Sequence, residues 1–89
     1  MKKIFQTTLK KKELNFMPHI VVKLYPGRSE EVKKKLADEI TKTVVKNAGT
    51  SEDAVSVDIV EVEKDKWQKE VYEPEIAARM DKLYKKPNC

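Results

Sequence analysis

Val32, Leu36, Ile40 and Val44 recur every four residues between two short β-branched runs. That spacing puts all four on one stripe of a helix. Ala37 and Val45 widen the stripe, while Lys33, Lys34, Asp38, Lys42 and Lys46 fall on the other face. Ser29 suits the N-cap, Glu30 and Glu31 suit the positive helix end, and Gly49 suits a left-handed cap after Asn47-Ala48. Before the helix, His19-Ile20-Val21-Val22-Lys23-Leu24 reads as a strand punctuated by Tyr25-Pro26-Gly27-Arg28. After it, residues 55–62 read as a second strand, alternating over its first half. Strand, helix, strand in this order predicts a right-handed βαβ unit with parallel strands. Trp67 falls in a charged connection. Pro74 stands where it can open a last helix, with Ile76, Met80, Leu83 and Tyr84 on one stripe and Lys85-Lys86-Pro87 closing it.

The expected fold is therefore α+β, and it is incomplete. Two strands and one main helix leave a sheet face and two edges bare. A two-stranded sheet is marginal in water, and a chain of 89 residues buries little surface. The pattern predicts self-association through sheet faces, strand edges or both. A homodimer, with two βαβ units joined into one larger sheet and helices outside, is the expected arrangement. A hexamer of three such dimers is the alternative.

Charge divides the chain. The formal net charge is +4. Residues 1–17 carry Lys2, Lys3, Lys10, Lys11 and Lys12 against Glu13, so the whole excess is theirs and residues 18–89 are balanced. A neutral body offers no field for nucleic acid, and the basic leader lacks aromatic residues interleaved for base stacking. Ile4-Phe5-Gln6-Thr7-Thr8-Leu9 is too short and too polar for a secretory signal, and a matrix-targeting peptide would favour Arg and Ser. Lys12-Glu13 can be encoded as a bacterial ribosome-binding sequence, with Leu14, Asn15 and Phe16 as spacer before Met17. Residues 1–16 are accordingly expected to be leader from a start placed too far upstream, and residues 17–89 to be the folded domain. No apolar run approaches the roughly 20 residues that span a membrane. Cys89 is the only cysteine and His19 the only histidine. They stand far apart, which argues against zinc and excludes an intrachain disulfide. Two glycines cannot build a phosphate loop. A reducing cytoplasm fits this composition.

Met17-Pro18-His19-Ile20 has the look of a second beginning. Together with Gly27-Arg28-Ser29 on a βαβ scaffold, it resembles the start of the 4-oxalocrotonate tautomerase family. The match runs without gaps from Pro18 to about Trp67. The longer segment from Val71 through Lys85-Lys86-Pro87 resembles the branch of small tautomerases that form dimers. The resemblance implies a cofactor-independent keto–enol tautomerase with Pro18 as catalytic base, once removal of Met17 exposes it. It implies that Arg28 binds the substrate's carboxylate and that Trp67, usually phenylalanine in the family, lines the apolar part of the site. The family's second arginine, which polarises the substrate carbonyl from a neighbouring subunit, falls on Ser56. That departure puts a dicarboxylate substrate in doubt and points to a small 2-keto or enol acid.

The chemistry suits these residue types. Moving a proton across an enol needs a base near neutral pKa beside a stabiliser of negative charge. A free α-amine titrates at about 7.7–8.0 in peptides, and an apolar pocket with nearby cations pushes an amine lower. An arginine can dock a carboxylate through two parallel hydrogen bonds. Without the resemblance, Pro18 reads as a residue that precedes a strand, and Arg28 equally as a solvated turn residue. Trp67 reads equally as an interface or core aromatic, and Ser56 as an ordinary strand residue in preference to the substrate contact that the resemblance implies there. Alternation points His19 away from Pro18, which gives it a structural role. The functional alternative is a binding or assembly protein on the same scaffold without activity. The N-terminus discriminates the two, because a preceding residue turns the Pro18 nitrogen into a tertiary amide with no basic lone pair.

Overall fold

The computed structural model describes residues 17–88. The expectations placed on residues 1–16 and on Cys89 lie outside the described residues. Strand β1 (His19–Leu24) leads to helix α1 (Glu30–Ala48), which returns the chain to strand β2 (Ser56–Glu61). The two strands form one sheet. Ser56 N–H donates to the Pro18 carbonyl at 3.1 Å, and Val62 N–H donates to the Leu24 carbonyl at 2.9 Å. Both pairs are 38 positions apart, so the strands run parallel in a fixed register.

Helix α1 starts and stops where its sequence dictates. Ser29 has extended backbone angles, and its Oγ accepts from Val32 N–H at 3.2 Å. Glu30 and Glu31 occupy the first turn, where the helix dipole favours negative charge. Gly49 ends the helix in the left-handed region at φ 71°, a conformation that costs other residues about 1–2 kcal/mol. On the solvent face, the Lys42 ammonium lies 3.3 Å from the Asp38 carboxylate. The Asp38 hydrogen bond and charge hold Lys42 above its ordinary value.

The described residues fall into two compact units: 17–22 with 28–59, and 23–27 with 60–88. In the first, Ala54 is buried. Ile20 faces α1 and lines an open apolar depression of about 300 Å³ with Glu39, Ile40, Thr43 and Val44. The apolar stripe of α1 is covered unevenly. Ile40 and Val44 are half-buried, but Val32 and Leu36 are 49% and 37% exposed. The described residues do not bury the first half of this stripe.

In the second unit Val62 and Val71 are buried. Helix α2 (Lys64–Trp67) continues into a wider π-helical stretch, Gln68–Ile76, and then a 3₁₀ turn, Ala77–Arg79. Two expectations are corrected here. Trp67 is the last residue of α2, not part of a connection. Pro74 lies inside the helical run instead of opening it. A proline lacks the N–H of the i→i−4 ladder and crowds the preceding turn, and the wider winding accommodates both defects. Helical structure ends at Arg79, so Ile76, Met80 and Leu83 are half-buried while Tyr84 is fully exposed and joins no stripe. Lys23 Nζ forms an ion pair with Glu75 in this unit. No helix among the described residues is long and apolar enough to cross a membrane.

Candidate active site

Pro18 is half-buried immediately before β1. Its carbonyl accepts from Ser56 N–H, so its own peptide unit is tied to the first residue of β2. Strand alternation turns Ile20 toward α1 and leaves His19 and Val21 exposed on the other face. Ser56 is exposed too, and its Oγ shares a hydrogen bond of 2.6 Å with His19 Nδ1. The structural role expected of His19 is thus a specific one: its ring is bonded to the residue that also holds Pro18. Ser56 is a strand residue, as its pattern implied, and its side chain is engaged by His19.

Arg28 is exposed in the turn just ahead of the Ser29 cap. Among the described residues no hydrogen bond or ion pair engages its guanidinium. Its position near the start of α1 adds the helix dipole to its own charge, although Glu30 and Glu31 stand nearby and Glu30 pairs with Lys33 at 3.1 Å. Pro18 and Arg28 flank opposite ends of the six-residue strand β1. At about 3.3 Å per residue, β1 alone spans roughly 20 Å between them.

Trp67 belongs to the second unit, half-buried at the end of α2. It meets Tyr25 edge-on, the ring centroids 5.1 Å apart. Tyr25 follows β1 directly and is 43% exposed. In the sequence Tyr25 is part of the punctuation that follows β1. Its signal was an aromatic side chain next to a turn, which alone does not name a partner.

A family model described as "Tautomerase enzyme" matches residues 18–72, more than half of the chain. "Tautomerase PptA" of Pectobacterium carotovorum subsp. carotovorum (strain PC1) is 44% identical over 72 residues, covering 80% of this chain and 95% of that one. A "Probable tautomerase" of Xylella fastidiosa (strain 9a5c) is 39% identical over 71 residues, with 80% and 87% covered. Among solved structures, YwhB, described as a homologue of 4-oxalocrotonate tautomerase, superposes with a TM-score of 0.53 at 38% identity, over 54% of this chain and 79% of that one. SAR1376, a putative 4-oxalocrotonate tautomerase from methicillin-resistant Staphylococcus aureus, gives a TM-score of 0.52 at 42% identity, over 53% and 76%. The chain belongs to the tautomerase superfamily and, within it, to the 4-oxalocrotonate tautomerase family.

Proposed function

We propose that this protein is a cofactor-independent keto–enol tautomerase acting on a small 2-keto or enol acid, with Pro18 as general base when it is the N-terminal residue. The observation that carries the reading is where the family match falls. It begins at Pro18, and 72 residues of this chain account for 95% of relatives named as tautomerases. Residues 1–16 are then leader that the active form does not carry.

In the enol-to-keto direction, the secondary amine takes the enol hydroxyl proton and, as the ammonium, delivers a proton to carbon, which returns it to the free amine. The electron pair of the C=C bond forms the new C–H bond, and the oxygen's pair forms C=O. No electron leaves the substrate, so the step calls for no redox partner. Arg28 is the carboxylate anchor in this reading and Trp67 the apolar wall. Ser56 cannot replace a cation, which favours a monocarboxylate with an uncharged remainder.

Pro18 and Arg28 flank opposite ends of β1, a strand roughly 20 Å long, which supports a site assembled from two copies. The exposed Val21, Val32 and Leu36 supply apolar surface for that assembly. A homodimer is the proposed state, with a hexamer of dimers as the alternative, and the cytoplasm is the proposed location. The alternative is a silent assembly protein, because any residue retained before Pro18 makes its nitrogen an amide. The test is the native N-terminus read beside activity. Protein isolated from its own cells should begin at Pro18 and ketonise phenylpyruvate enol. A start at Met1 or Lys2 with no tautomerase activity decides for the silent scaffold.

A further inference from the structure

We infer that His19 and Ser56 form a clasp that positions Pro18 for proton transfer, a role that rests on the reading of Pro18 as an N-terminal base. A base must keep its nitrogen free. An N-terminal proline therefore cannot be anchored through the very atom whose position matters, and chain termini fray unless something ties them down. The anchor has to act on the far side of the residue.

Two bonds converge there, both made by Ser56. Its backbone N–H donates to the Pro18 carbonyl at 3.1 Å, and its Oγ is bonded to His19 Nδ1 at 2.6 Å. One contact would hold a point and leave rotation free. Two contacts, one to the Pro18 carbonyl and one to the His19 ring, hold the peptide plane and the side chain next to Pro18 and so limit how far its ring can swing from the strand. Ser56 is itself set by the start of β2. A serine hydroxyl both donates and accepts, so the bond survives either imidazole tautomer.

His19 and Ser56 are exposed and fill no core, and the buried apolar residues of the described chain are Ala54, Val62 and Val71. Placement is what such a pair can contribute, and placement is expensive to lose. A shift of about 1 Å in a reacting group can cost about 100-fold in rate.

The test uses His19→Ala, His19→Asn, Ser56→Ala and the double alanine variant, each made in the full chain and in the form beginning at Met17. That shorter form spans nearly the whole length of the relatives it matches. Phenylpyruvate ketonisation gives kcat and KM, and amide hydrogen exchange at Ser56 reads the clasp without any chemistry. In the short form either alanine change should lower kcat roughly threefold to tenfold, as loss of one hydrogen bond implies, with KM nearly unchanged. The double variant should lose no more than either single one. His19→Asn, which can present a side-chain amide to Ser56, should restore most of the rate. Exchange at Ser56 should quicken in His19→Ala in both forms. Unchanged exchange together with unchanged kcat overturns the clasp and leaves Pro18 as base intact. Faster exchange with unchanged kcat overturns the positioning role. Failure of Pro18 itself is read separately in the unsubstituted protein, as equal activity of the long and short forms.

Discussion

Tyr25 and Trp67 meet edge to face, their planes at 87° and their centroids 5.1 Å apart. This is a preferred geometry for aromatic pairs, worth about 0.5–1.5 kcal/mol beyond the area it buries. It joins the residue after β1 to the last residue of α2, and the Lys23–Glu75 ion pair acts within the same unit. A double-mutant cycle of Tyr25→Leu and Trp67→Leu, read by urea unfolding at one fixed protein concentration, should give a coupling of about 0.5–1.5 kcal/mol. Coupling indistinguishable from zero would reduce the contact to coincidence.

Arg28 carries the substrate prediction. Arg28→Ala should raise KM for an acidic keto or enol substrate. One charged hydrogen bond contributes about 1.5–3 kcal/mol, so kcat/KM should fall roughly tenfold to hundredfold. Arg28→Lys should recover only part, because an ammonium lacks the planar fork that grips a carboxylate. Identical kinetics in parent and Arg28→Ala would remove this residue from the site.

The exposed half of the α1 stripe carries the assembly prediction. Leu36 is 37% exposed although it lies on the apolar face of the helix. Leu36→Glu should weaken self-association by at least about tenfold, since burying a leucine stabilises by about 1.5–3 kcal/mol and a charge there costs more. Sedimentation across a dilution series reads this directly. An unshifted association constant would place the interface elsewhere, with Val21 on the open sheet face as the next position to change.

Gly49 separates backbone from packing. A Cβ built there meets nothing within 4 Å, yet φ is +71°. Gly49→Ala should therefore cost roughly 1–2 kcal/mol through the left-handed backbone alone. Thermal unfolding at constant concentration checks it. A loss well above this would mean that something covers the cap in the assembled protein.

Much of the fold was legible because the deciding signals are local. Ser29, the four-residue repeat and Gly49 place α1 within its observed bounds, and the β-branched run from His19 to Leu24 is β1. The C-terminal segment was not legible in the same way. Pro74 reads as a helix opener when only its fixed φ is weighed, but it lies inside a π-helical stretch whose buried residue is Val71, and such winding has no local sequence signal. The candidate site residues can be named from sequence by type, but their partners cannot. Pro18, Arg28 and Ser56 stand out by residue and position. The bonds from Ser56 to both Pro18 and His19, and the pairing of Tyr25 with Trp67, join residues dozens of positions apart. Those links need the strand register, which local pattern alone does not set.

The most searching prediction concerns the nitrogen of Pro18. A protein beginning at Met17 should lose that methionine, because the small proline side chain permits aminopeptidase removal, and should ketonise phenylpyruvate enol. Its rate should fall as pH drops through the amine's pKa, since the base acts as the free amine. The same body with residues 1–16 attached should fold and associate alike, because the described elements all lie within residues 19–79. It should be nearly inactive, because an amide nitrogen has no basic lone pair to offer. A positioned general base is worth about 10²–10⁴-fold, a gap that a simple absorbance assay resolves. Equal rates for the two forms would mean that Pro18 is not the base, whatever else the fold shares with its family.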